Sequence, residues 1–144
     1  MELKTTIRIV LVEDNPADAY LVKRALVEHG IEFEMTWFDD GDKALKAMAD
    51  GEAPDLVLLD LNLAKTEGVN VLSAIRGSPK LSEVPVGILS SSESPADVKR
   101  TALLGANRFI KKPLALEDFM REIGQGVEEM LRLRESVAVS EDAR

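Results

Sequence analysis

Residues 56–68 read LVLLDLNLAKTEG, Leu56 to Gly68. Four apolar residues in succession run straight into an acid, Asp60. A short apolar run bounded by polar residues marks a strand covered on both faces, as strands of a parallel sheet are. With Asp55 in front, the strand takes residues 55–59, and Asp60 is expected at the rim, past the sheet rather than in it. An ionised carboxylate does not settle into such a run, because losing its water is costly unless something compensates. Its position therefore asks for a chemical reason.

Outward from this stretch the same alternation repeats. "IRIVLV" (Ile7–Val12) is a β-branched apolar run of the same kind. Asn15 then Pro16 opens a helix, with Asn as N-cap and Pro at the first helical position. Leu21, Val22, Ala25 and Leu26 follow at helical spacing, and His29-Gly30 ends it, glycine being common just past a helix end. "FEMTWF" (Phe33–Phe38) is a second strand, and Ala44, Leu45 and Met48 mark a second helix. Beyond Gly68, Val71, Leu72 and Ile75 mark a third. "PVGIL" (Pro85–Leu89) is a fourth strand, in which Gly87 is expected to thin the core. Ser94-Pro95-Ala96-Asp97 reads as a capping box, opening a helix that runs to Gly105. "RFIK" (Arg108–Lys111) is the fifth strand, and Phe119, Ile123, Val127 and Met130 define a last helix despite Gly124 and Gly126.

Five strand–helix units recur about every 25 residues, room for a strand and a crossover helix. The fold class is α/β: three layers around a parallel five-stranded sheet. The domain takes residues 1–131, and 132–144 form an extension of the last helix and a tail. The residues after Lys112 suffice for that helix and tail, not for a separate output domain.

Composition narrows the function. The chain has 144 residues, 45% hydrophobic, with a net charge of −8 and no cysteine. The acidity argues against direct nucleic-acid binding, which needs a basic footprint. Disulfides and thiolate metal sites are excluded. No apolar run approaches the roughly 20 residues that span a bilayer, and the N-terminus lacks the form of a signal peptide. A cytoplasmic location and no membrane contact are the expectation.

In an open parallel sheet, ligands bind beyond the carboxyl ends of the strands. Those ends carry Glu13 and Asp14, then Asp60, then Ser90, then Lys112 and Pro113. If the strand order is 2-1-3-4-5, Glu13, Asp14 and Asp60 are neighbours. Crowded carboxylates repel unless a cation joins them, and Mg²⁺ is the hard ion that one or two carboxylates hold. Carboxylates, Mg²⁺ and a lysine suit phosphoryl chemistry, in which an aspartate accepts the group as an acyl phosphate. A hydroxyl such as Ser90 suits donation to one phosphoryl oxygen.

Glu13-Asp14, Asp60, Ser90 and Lys112-Pro113, in order at strand ends, resemble the receiver domains of response regulators in two-component signalling. The resemblance spans residues 6–131 and implies a flavodoxin-like (βα)5 fold of order 2-1-3-4-5. "VLVEDNPAD", "LLDLNL" and the loop "RGSPKLSEVP" look most like the single-domain regulators that accompany phytochrome-type kinases. The resemblance implies roles. Asp60 is the phosphoacceptor. Glu13 and Asp14 form the acidic pocket, with Asp14, Asp60 and the Asn62 backbone carbonyl on Mg²⁺. Ser90 is the phosphate-sensing hydroxyl, Lys112 contacts the phosphoryl group, Pro113 follows a cis bond and Phe109 is the aromatic switch. The implied partners are a sensor histidine kinase, of phytochrome type in the nearest subfamily, and a downstream protein or phosphotransfer partner. A second copy is a further candidate, since Leu131, Leu133, Val137 and Val139 leave apolar residues in the tail. The chain would be a switch, not an enzyme, assisting only its own phosphorylation and dephosphorylation.

Two departures from the family stand out: Ala64 where proline is common, implying a looser loop, and Gly87. Several residues have plainer readings. Ser91 and Ser92 read as loop, Lys111 and His29 as surface, Trp37 as packing on the second strand. Two other classes compete. A phosphatase with an aspartyl-phosphate intermediate needs a second aspartate two residues past the first, where this chain has Asn62. A scaffold that binds without phosphorylation would have no use for the five site groups.

Overall fold

The computed structural model describes residues 6–92, 94–112 and 115–142, with side chains described as far as residue 132. Five strands, β1 (Ile7–Val12), β2 (Phe33–Phe38), β3 (Leu56–Asp60), β4 (Val86–Ser90) and β5 (Arg108–Lys111), alternate with five helices. The helices are α1 (Pro16–Glu28), α2 (Gly41–Asp50), α3 (Gly68–Gly77), α4 (Pro95–Leu103) and α5 (Leu116–Asp142). The sheet is parallel throughout, in the order β2-β1-β3-β4-β5.

The pleat sorts each strand's side chains onto two faces. Val10, Val12, Val57, Leu59, Val86 and Ile88 share one core with Met48 of α2 and Leu72 and Ile75 of α3. Ile9, Leu11, Leu56, Leu58, Leu89 and Ile110 share the other with Val22 and Leu26 of α1 and Ile123, Val127 and Met130 of α5. Both faces are thus dry, which is why the interior strands carry no alternation in sequence. Asn15 caps α1, its Oδ1 accepting from Ala17 and Asp18 N–H.

Three expectations are corrected. Asp60 and Ser90 belong to the sheet: Asp60 is in register with Leu89 and Ser90 with Lys111. Backbone pairing continues one residue beyond the apolar run, since a ladder hydrogen bond is indifferent to the side chain. Gly87 does not thin the core. A Cβ there would stand 2.7 Å from Met130 Cε and 3.2 Å from Leu58 Cδ2, so the missing side chain is the room Met130 occupies. His29 is more than a surface residue: its Nε2 lies 2.6 Å from Glu128 Oε2. Its ring fills the space a side chain at Gly124 would need, 2.5 Å from that Cβ position. The glycines that weakened the reading of α5 are where it meets its neighbours. Pro113 and the side chains of Leu133, Val137 and Val139 lie outside the described residues.

Candidate functional site

The carboxyl ends of β1, β3 and β5 converge on one ammonium group. Lys112, just past β5, sends Nζ to Glu13 Oε1 at 2.6 Å, Asp18 Oδ2 at 2.9 Å and Asp60 Oδ2 at 3.1 Å. Its side chain is 13% exposed, Asp60's 7% and Glu13's 0%. Glu13, Asp14 and Asp60 each offer an oxygen within 4.8 Å of the other two. Asp60 Oδ1 accepts the Asn62 N–H at 2.9 Å, leaving Oδ2 to the lysine. Ser90 is buried beside β5, its carbonyl accepting the Lys112 N–H at 2.8 Å. Its hydroxyl oxygen accepts the Ser92 N–H at 3.0 Å. Phe109 packs against the α2–α3 core, in register with Ile88.

Electrostatics follow from this burial. Loss of water pushes the Glu13 carboxyl up to about 8, and the neighbouring Asp60 adds to the rise, outweighing the lysine. Burial would raise Asp60 as well, but hydrogen bonds from Glu13 and from Asn62 N–H, with the Lys112 charge, hold it below the ordinary range. Burial alone would lower Lys112; its bonds to Glu13 and Asp18 and the surrounding carboxylates raise it instead. The two shifts run in opposite directions, so a proton in this buried pair is favoured on Glu13 over Asp60. The three hard oxygens fit a hard divalent ion, whose charge would offset the repulsion among them.

Glu13, Asp14, Asp60, Asn62, Ser90 and Lys112 lie at this end of the sheet, Phe109 sits within β5 level with Ile88, and five further residues bear on the site. Asp18, in the first turn of α1, is the third carboxylate on Lys112. Trp37 is no mere packing residue: its indole Nε1 donates to the Glu13 carbonyl at 2.6 Å. The Glu13 N–H donates to the Phe38 carbonyl at 3.0 Å, so β2 holds the Glu13 backbone at both its N–H and its carbonyl. Ser92 is part of a turn: its hydroxyl donates to Asp97 Oδ2 at 3.0 Å and accepts the Ser94 N–H at 3.1 Å. The expected capping box is thus half formed, Ser94 accepting from Asp97 N–H while Asp97's carboxylate turns to Ser92. Gly68 abuts the carbonyl of Asp60. Ala64, expected to loosen its loop, donates its N–H to Asp14 Oδ2 at 2.7 Å, a bond proline could not make.

Residues 9–124 match the response regulator receiver domain family, and the chain belongs to that family. It is 38% identical over 128 residues, 85% of this chain and 83% of the relative, to the probable methanogenesis regulatory protein FilR2 of Methanothrix harundinacea. Response regulator Rcp1 of Synechocystis sp. is 36% identical over 126 residues, 83% of this chain and 85% of Rcp1. The crystal structure of the Mn²⁺-bound form of Rcp1 superposes with a TM-score of 0.77, covering 85% of this chain and 91% of that one. So does the phosphorylated cyanobacterial phytochrome response regulator RcpA, at 35% identity and TM-score 0.77, covering 86% and 92%. The fold is the flavodoxin-like receiver fold of two-component signalling. Phosphoryl acceptance is general to such domains, and no helix among the described residues is long and apolar enough to cross a membrane.

Proposed function

We propose that this chain is a phosphorylation-operated switch in which Asp60 accepts a phosphoryl group from a sensor histidine kinase. The observation that carries it is the Lys112 ammonium held 3.1 Å from Asp60, with Glu13 and Asp14 alongside. An Asp60 oxygen attacks phosphorus, the phosphorus–nitrogen bond of a phosphohistidine breaks, and the departing imidazole takes up a proton. Lys112 turns from Glu13 and Asp18 toward the phosphoryl oxygens and matches their added charge. Asp14, Asp60 and the Asn62 carbonyl, with Glu13 in reach, are the groups that would hold Mg²⁺. The ion supplies charge neutralisation among the acids and phosphoryl oxygens.

Ser90 and Phe109 couple the site to a surface. Ser90 leaves its bond to Ser92 N–H and donates to the phosphoryl group, and Phe109 turns into the space it vacates. A 1:99 to 99:1 population change needs about 5.5 kcal/mol. Two or three charge-assisted hydrogen bonds, roughly 1.5–3 kcal/mol each, are of that size. Similarity to Rcp1 and to the phytochrome regulator RcpA supports a phytochrome-type kinase as the donor.

Acetyl phosphate with Mg²⁺, followed by intact-mass spectrometry, tests the reading. The wild type gains one phosphate and loses it slowly; Asp60→Asn gains none. Continuous turnover of the donor would make the chain a phosphatase, no labelling would make it a scaffold, and a labelled Asp60→Asn would displace the acceptor. For the switch, Ser90→Ala accepts phosphate yet responds weakly in partner binding, and wild-type behaviour there would break the coupling.

A further inference from the structure

Between α3 and α4 runs an open groove of about 490 Å³, within the range of ligand-sized clefts. Val69, Ala96, Leu103 and Leu104 supply its apolar surface, and Lys99 and Arg100 its charge. Leu103 is 78% exposed. A single exposed leucine is ordinary, but here it continues an apolar strip rather than standing alone.

Charge sets this groove apart from the rest of the surface. The chain holds 26 acidic against 18 basic residues, yet no acid lines the groove itself; Glu67 and Asp97 line the adjoining cleft, which shares Val69 and Arg100 with it. The guanidinium groups of Arg8, Arg24, Arg76, Arg108, Arg121 and Arg132 each donate to a carboxylate or carbonyl. Among arginines with described side chains, Arg100 alone has no such partner. A guanidinium fork suits a carboxylate, which it binds through two parallel bonds.

We propose that the α3–α4 groove is a docking site for an acidic amphipathic helix of a partner protein. Its apolar side chains lie against Val69, Leu103 and Leu104, and its carboxylates reach Arg100 and Lys99. A helix laid between two helices buries one face and presents its flanks to the rim, the arrangement that apolar floor and cationic edge fit. A second copy of this acidic chain is a poorer occupant unless it brings a local acidic helix.

The test uses the full chain, ¹⁵N-labelled, titrated with a synthetic amphipathic helix carrying leucines on one face and glutamates beside them. The expected result is saturable binding with shifts concentrated in the α3 and α4 amides. A glutamine-for-glutamate twin binds about tenfold more weakly, and Arg100→Gln removes most of that difference between the peptides. Leu103→Ser weakens both peptides, and the unchanged amide spectrum of each variant shows that it folds. Absence of saturation, shifts elsewhere, or equal discrimination by Arg100→Gln would overturn the proposal. Self-association in sedimentation that Arg100→Gln abolishes would overturn the choice of occupant in favour of a second copy.

Discussion

Gly68 rests against the backbone of Asp60: a Cβ at Gly68 would stand 2.5 Å from the Asp60 carbonyl oxygen and 2.7 Å from Leu61 Cα. Both obstacles are main chain, so neither can step aside as the end of a side chain can. The helix α3 begins at Gly68, where only glycine fits under the end of β3; Glu67, its N-cap, makes no side-chain capping bond. Gly68→Ala should therefore shift the acceptor as well as destabilise the fold, by about 2 kcal/mol or more if the overpacking is not relieved. Denaturant unfolding reads the stability, and phosphate labelling per folded molecule reads the displacement. Wild-type values in both would show that the contact relaxes freely.

Trp37 is the chain's one tryptophan, and its indole holds the Glu13 carbonyl. Trp37→Phe keeps the ring and removes the donor. A hydrogen bond of this kind is worth about 0.5–1.5 kcal/mol net, and part of that should appear as several-fold weaker metal binding, because the gripped peptide leads into Asp14. Calorimetric Mg²⁺ titration checks it; in the wild type, indole fluorescence should respond to the same titration. Equal metal affinity with only a lower melting temperature would reduce Trp37 to packing.

Asp18 holds Lys112 at 2.9 Å, and on the proposed function it competes with the incoming phosphoryl group for that ammonium. Asp18→Asn should lower the stability of the resting protein, where the bond is charge-assisted, and raise affinity for beryllofluoride two- to tenfold, about 0.4–1.4 kcal/mol. The two effects have opposite signs, so one variant separates competition from simple loss of structure. Weaker beryllofluoride binding would make Asp18 a supporter of the phosphorylated state instead.

Asp14 accepts from Ala64 in the resting arrangement and is proposed to hold the metal. Mg²⁺ at a hundredfold excess over its dissociation constant should stabilise the wild type by about 2.7 kcal/mol. Asp14→Ala should remove most of that increment in a thermal melt. An undiminished response would move the metal away from Asp14.

The bounds of β1, β2 and β5 were legible because apolar runs coincide there with backbone pairing. At β3 and β4 they part company: Asp60 and Ser90 are polar residues completing the ladder. That Glu13, Asp60 and Lys112 meet could be read from order along the chain, since strand ends are where one-dimensional position becomes three-dimensional proximity. Trp37 could not, because its donor reaches Glu13 only through the β1–β2 register that sets Leu11 opposite it. Asp18 could not either, because a first-turn acid is common enough to pass as helix-end electrostatics. Gly87 and Gly124 misled because a glycine's purpose lies in its neighbour: Met130 for one, His29 for the other.

Helix α1 is pinned at both ends to the far part of the chain. Lys112 holds Asp18 in its first turn and Glu13 just before it, and Glu128 holds His29 just past its last turn. The Lys112–Glu13 and Glu128–His29 links each span 99 positions of sequence. In hydrogen-exchange terms, these links predict that the first and last strand–helix units behave as one foldon. Their most protected amides should open together, at one common free energy, although they are synthesised at opposite ends of the described chain. Filling or emptying the acidic site would then set the opening free energy of α5 as much as that of α1, carrying its occupancy to a helix whose far end lies well away from it.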